Sequence, residues 1–200
     1  MFDGQWRAAV ERSVDPVGAR LARFGVTANA LTVSGVGAAS VAAVLIGRGR
    51  LGWGAVALAV AAVPDLLDGP VAKATGPASL RGAFFDSTAD RVTDTLLLAG
   101  VIWYFIDEDR GHVAMVPVAV MAASWLISYQ RAKAESLGLE AKGGVMERAE
   151  RLITLGIGLI VPGALLPVLW LMLALTLITA IQRFALVWRR AGAAERPAPS

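Results

Sequence analysis

The chain has 200 residues, 56% of them hydrophobic, a mean hydropathy of +0.60 and a formal net charge of +3. That apolar content exceeds the norm for soluble domains and, with the long apolar runs, points to a single helical membrane bundle. The absence of cysteine excludes a disulfide framework and a thiolate metal site, and the lone histidine, His112, leaves histidine-based chemistry almost no material.

Trp6, Val10, Val14, Val17, Leu21 and Phe24 recur at spacings of three and four, with Arg7, Arg12, Arg20 and Arg23 between them. This predicts an interfacial amphipathic helix over residues 1–24, broken at Asp15-Pro16, where Asp15 caps a second short helix. The spread of arginines and the missing compact apolar core argue against a cleavable signal peptide. Six runs then read as membrane spans: 31–46, 51–72, 83–106, 113–128, 152–166 and 168–187. Thr27 or Asn29 caps the first, and Pro162-Gly163 and Pro167 hinge the last two. Gly35, Gly37, Ala38, Ala39, Ser40, Ala42 and Ala43 let other backbones approach the first span closely. The predicted fold is an all-α integral membrane protein. A six-helix membrane domain spans residues 25–190, after the interfacial segment 1–24 and before a disordered tail, 191–200.

With the N-terminus cytoplasmic, sixteen of the nineteen Lys and Arg fall on the inside and only Arg48, Arg50 and Arg110 outside. Both termini and the loop 73–82 are then on the cytoplasmic side of the cell (inner) membrane.

Four aspartates flank that loop: Asp65 and Asp68, then Asp86 and Asp90. A carboxylate at membrane depth costs roughly 2.5–3.5 kcal/mol on insertion scales. Four together also repel, so the cluster requires a cation. Spacings of three and four put each pair on one helix face, and the short connection predicts antiparallel neighbouring spans with the pairs face to face. Oxygen-only ligands suit Mg²⁺ or Mn²⁺, and two such ions neutralise four carboxylates and still bind a substrate's phosphates. Gly69 and Gly82 leave room for a bulky ligand at the backbone.

Asp65-x-x-Asp68-Gly69-x-x-Ala72-Lys73, then Gly82-x-x-x-Asp86-x-x-x-Asp90, resembles the signature of the CDP-alcohol phosphotransferases. Lys73 stands where that family usually has Arg, keeping the charge but losing the bidentate fork. Asn29-Ala30-Leu31-Thr32 resembles the family's stretch at the start of the first span, with Ala28 where Pro is common. The resemblance implies a CDP-linked lipid donor, usually CDP-diacylglycerol. An alcohol attacks the phosphate bearing the diacylglycerol, and CMP leaves. It makes Asp65, Asp68 and Asp86 metal ligands and Asp90 the general base, also in contact with metal. It places Asn29, Thr32, Asp65, Asp68, Gly69, Lys73, Ser79 and Gly82 around CDP, and it implies a homodimer.

Further on, Ser128-Tyr129-Gln130-Arg131-Ala132-Lys133-Ala134-Glu135, Gly143-Gly144, Glu147-Arg148-Ala149-Glu150-Arg151-Leu152 and Gln182-Arg183 resemble the phosphatidylinositol phosphate synthase branch, whose acceptor is inositol 1-phosphate. A phosphorylated acceptor needs its own cations, and Arg131, Lys133, Arg151 and Arg183 supply them. Phosphatidylglycerolphosphate synthases also take a phosphorylated alcohol, and basic charge alone does not separate the two. Outside enzymes, buried carboxylates in a membrane bundle also suit a cation transporter, but these crowd one end instead of lining a path. Lys142 and Arg148 read equally well as topology-setting charges, Asp94 as a packing group paired with Arg91, and Gly143-Gly144 as a loop break. Trp53, Trp103, Trp125 and Trp170 read as interfacial or packing residues.

Overall fold

Each helix starts and stops where local chemistry dictates. Thr27 is extended (φ −97°, ψ 153°) and its Oγ1 accepts the Ala30 N–H at 3.2 Å, capping α2, Ala28–Gly47. Of the two predicted caps, Thr27 takes the role and Asn29 lies inside the first turn. Ser79 caps α4, Leu80–Asp107, in the same way, accepting the Gly82 N–H at 2.9 Å. Gly25, Gly49 and Gly138, with Asp109, hold the left-handed conformation just past four helix ends, and the following amides close on carbonyls five residues back.

The computed structural model describes residues 15–75, 79–141 and 143–194, and those residues form seven helices. After α1 (15–23) and α2 come α3 (Leu51–Thr75), α4, α5 (Met115–Ser136), α6 (Arg148–Ile160) and α7 (Leu165–Ala194). The amphipathic pattern at Trp6, Val10 and Val14 lies outside the described residues, as do Lys142 and the end of the tail. Residues 191–194, assigned to the tail, form the last turn of α7. Pro162-Gly163 separates α6 from α7, with Gly163 at φ 75°. Pro167 is no hinge: it sits in the first turn of α7, where its missing N–H has no helical partner to lose.

Three helices, Ala28–Gly47, Leu51–Ala74 and Leu165–Ala194, are long and apolar enough to cross a membrane. The chain is an all-helical membrane protein. It divides between Ala114 and Met115 into two compact units.

The first unit is built around α2, and here the expected neighbour relation fails. α3 and α4 each pack along α2, not along each other. The small residues of α2 explain this. A Cβ on Gly35 would stand 3.4 Å from Ala61 O and Pro64 Cβ of α3. One on Gly47 would stand 2.3 Å from Trp103 of α4, and one on Gly100 2.5 Å from Ala43 O. Gly35 and Ala43 therefore admit partners on two sides of one helix, and α2 becomes the centre. The pairings run α3 antiparallel and α4 parallel to α2, so α3 and α4 are antiparallel through it.

In the second unit α7 is the common partner of α5 and α6. Leu169, Met172, Thr176, Thr179 and Ala180 form its buried stripe, at the i, i+3, i+4 spacing of a helix packed on one side.

Candidate functional site

The aspartates occupy the ends of α3 and α4 next to residues 76–78. Among the described residues no three carboxylates gather into a ready-made cation cage. The contact that forms is between Asp68 and Asp86, whose carboxyls lie within hydrogen-bonding reach. Asp90, one turn further along α4, is half-buried in the same electrostatic field, and Asp65, one turn back on α3, is exposed. Two carboxylates that close require a proton or a cation between them. An all-oxygen donor set of this kind fits a hard divalent ion, with Asp65 and Asp90 close by on the same faces. The Arg91 guanidinium lies 4.0 Å from Asp90 and donates to Ser87 O at 3.2 Å. Asp94 is buried.

Two prolines of α3, which the sequence motifs pass over, shape this site. Pro64 and Pro70 lie inside the helix and bracket the aspartate pair. Each lacks an N–H, so the carbonyls of Val60 and Leu66 lose their usual helical donors beside Asp65 and Asp68. The Pro64-Asp65 and Gly69-Pro70 steps carry that signal. Gly69 faces open space where a side chain would stand, and its N–H is taken by the Asp68 carboxylate.

Other residues assigned to the nucleotide cluster at the same end. A Cβ on Gly82 would lie 3.0 Å from Ser79 Oγ and 3.7 Å from Asn29 Oδ1, so the starts of α2 and α4 meet there. Ser79 also serves as the α4 cap. Thr32 Oγ1 donates to Ala28 O at 3.1 Å and sits one turn into α2. Lys73, exposed in the last turn of α3, places Nζ 3.9 Å from Asp15 Oδ1 of α1. The same two helices cross at Gly18, where a Cβ would stand 2.4 Å from Pro70 Cβ.

The second unit holds the basic cluster. Arg183 is 4% exposed; its Nη1 donates to Ile127 O at 3.1 Å and its Nη2 to Gly143 O at 2.9 Å, with Glu147 Oε1 3.4 Å away. Its Nε is buried without a partner. Arg151, also buried, donates to Met146 O at 3.4 Å. The charges of Arg131 and Arg151 both act on Arg183. Arg131 is exposed, pairs with Glu135 at 2.9 Å, and shares its face of α5 with Ile127. Lys133, two residues on, lies on a different face and is exposed. The structure thus brings Arg131, Arg151 and Arg183 together and leaves Lys133 at the margin. Arg148, before the fifth predicted span, is pushed down to about 10 by burial and then by the Arg151 charge, and remains a cation at neutral pH.

Comparison with known proteins bears on this arrangement. The model of the CDP-alcohol phosphatidyltransferase family matches residues 25–191. The chain belongs to that family. A relative from Mycobacteroides abscessus, named phosphatidylinositol phosphate synthase, is 35% identical over 94% of this chain and 89% of its own. The crystal structure of the Mycobacterium tuberculosis phosphatidylinositol phosphate synthase with CDP-DAG bound superposes with a TM-score of 0.84 at 32% identity, covering 94% of this chain and 100% of that one. The same enzyme in complex with manganese and citrate gives 0.82 at 33% identity, covering 92% and 93%. As a CDP-alcohol phosphatidyltransferase the chain is a transferase, and the matched segment contains all of α2 to α6 and both clusters.

Proposed function

We propose that this chain is a phosphatidylinositol phosphate synthase, transferring the phosphatidyl group from CDP-diacylglycerol to inositol 1-phosphate with release of CMP. The observation that carries the reading is the Asp68–Asp86 contact within the family signature of the first unit, in a chain whose second unit gathers Arg131, Arg151 and Arg183. Likeness to synthases of that name over nearly the whole chain supports the acceptor.

Asp65, Asp68, Asp86 and Asp90 would hold divalent metal, Mg²⁺ or Mn²⁺, as two ions. When bound, the metal neutralises charge on the diphosphate and on the departing CMP. The protein's own groups do the rest. Asn29, Thr32, Ser79, Gly69 and Gly82 seat the nucleotide, with Lys73 countering phosphate charge. Asp90 takes the proton of the attacking inositol hydroxyl. Arg131, Arg151 and Arg183, with Lys133 at the margin, hold the acceptor's phosphate. The active form is a homodimer with six spans in the cell membrane, and its termini and active site are cytoplasmic.

The acceptor is tested by replacing inositol 1-phosphate with glycerol 3-phosphate in an assay of CMP release. Inositol 1-phosphate is expected to give the higher kcat/KM by at least about tenfold, since a site built to hydrogen-bond hydroxyls rejects analogues lacking them. Preference for glycerol 3-phosphate makes the chain a phosphatidylglycerolphosphate synthase instead.

The α1–α3 crossing gives a second expectation. Gly18→Val has no room over Pro70, pushes α1 away and separates Asp15 from Lys73. The KM for CDP-diacylglycerol should rise while that for the acceptor stays near its wild-type value. A change in the acceptor KM alone would contradict Lys73's assignment to the donor.

A further inference from the structure

Thr179 lies in the middle of α7 and is fully buried (0% exposed). A threonine there ordinarily satisfies its hydroxyl on the preceding turn, and Thr179 does so, donating to Leu175 O at 2.9 Å. Its Oγ1 also accepts two consecutive amides of a distant loop, Val145 N–H at 3.1 Å and Met146 N–H at 2.9 Å. The approach is close. A Cβ on Gly144 would stand 2.3 Å from Thr179 Cγ2, and Gly144 has φ +154°, so only glycine fits.

The loop pinned in this way orients both buried arginines of the basic cluster. Gly143 O accepts from Arg183 and Met146 O from Arg151. Glu147 Oε1, which lies 3.4 Å from Arg183, also accepts the Gly143 N–H at 3.2 Å. One hydroxyl therefore sets the positions of the carbonyls and carboxylate from which two guanidinium groups hang. Phosphate recognition by arginine depends on the direction of its N–H fork, so a displaced carbonyl misdirects the fork even when the charge is kept.

We propose that Thr179 is a positioning residue for the phosphorylated acceptor, acting through loop 143–147 to fix the directions of Arg151 and Arg183. This rests on the reading of those arginines as acceptor phosphate ligands. Gly143-Gly144 then becomes part of the acceptor site's frame and more than a loop break.

The test is the KM of each substrate for the purified full chain. Thr179→Val keeps the shape but leaves two amides without their acceptor. It should raise the KM for inositol 1-phosphate by about tenfold, the size of one lost buried hydrogen bond, and leave that for CDP-diacylglycerol within about twofold. Thr179→Ser keeps the hydroxyl and should restore the acceptor KM, a rescue that a mere packing role would not give. Should the valine variant fail to fold, Thr179→Cys replaces it. Sulfur is a weak acceptor, so its acceptor KM should lie above that of the serine variant. An unchanged acceptor KM in Thr179→Val, a cysteine variant equal to serine, equal rises for both substrates, or no rescue by serine overturns the proposal. Arg151→Gln separates the two readings. An unchanged acceptor KM there overturns the acceptor assignment and this proposal with it. A raised KM there beside an unchanged one in Thr179→Val overturns the role of Thr179 alone.

Discussion

Asp86→Asn is expected to cut CMP release by at least about a thousandfold, the loss of several kcal/mol of charge stabilisation on the diphosphate. The same variant should not weaken the metal-free fold. The carboxyls of Asp68 and Asp86 lie within hydrogen-bonding reach. Replacing one by an amide removes a like-charge repulsion and supplies an N–H donor to the other. The melting temperature without metal should therefore hold or rise, while the increase produced by Mn²⁺ in the wild type shrinks or disappears, since a ligand stabilises only the state it binds. Activity near wild type would remove Asp86 from the chemistry. A lowered melting temperature without metal would make it a structural residue.

The second large effect is expected at Arg183. Arg183→Lys keeps a positive charge but replaces a planar fork by a single nitrogen. That nitrogen cannot reach Ile127 O, Gly143 O and Glu147 together, as the guanidinium does. Losing one or two such bonds costs about 1.5–3 kcal/mol each. At the size of this chain the melting temperature should fall by roughly 3–6 °C for the smallest such loss and by more than about 10 °C for the largest. The KM for inositol 1-phosphate should rise well beyond that of Thr179→Val, because both the ligand and the frame are damaged. Intact stability with a raised acceptor KM would mean that Arg183 binds phosphate without bracing the loop. Lowered stability with an unchanged acceptor KM would leave it a brace alone.

Much of this fold is legible in the amino-acid sequence. Apolar runs locate the starts of α2 to α7 within about four residues, while the ends of α5, α6 and α7 miss by about six to eight, because apolar composition marks a helix more sharply than the polar turns that end it. The aspartate signature is legible because its spacings are helical and its charges are costly where they stand. Packing order is not. A short connection suggests neighbours, yet α2, through Gly35, Ala43 and Gly47, draws α3 to one side and α4 to another. Across the two helices, Asp68 and Asp86 lie within hydrogen-bonding reach. Nor does spacing show that Arg183 spends two of its nitrogens on backbone carbonyls, or that Thr179 reaches a loop more than thirty residues earlier. Those contacts depend on how α5 and α7 pack. Lys133 shows the converse: proximity in sequence groups it with Arg131, but two residues along a helix turn it to another face.

Metal-dependent phosphatidyl transfer to a phosphorylated alcohol is the central claim. It is tested most directly by incubating the purified chain with CDP-diacylglycerol, inositol 1-phosphate and Mg²⁺ or Mn²⁺, and measuring CMP together with the mass of the lipid formed. The predicted result is CMP in equal amount to a phosphatidylinositol lipid bearing a second phosphate, with neither product when the acceptor is omitted or the metal chelated. No CMP from the complete mixture, or CMP released equally without acceptor or metal, would contradict it.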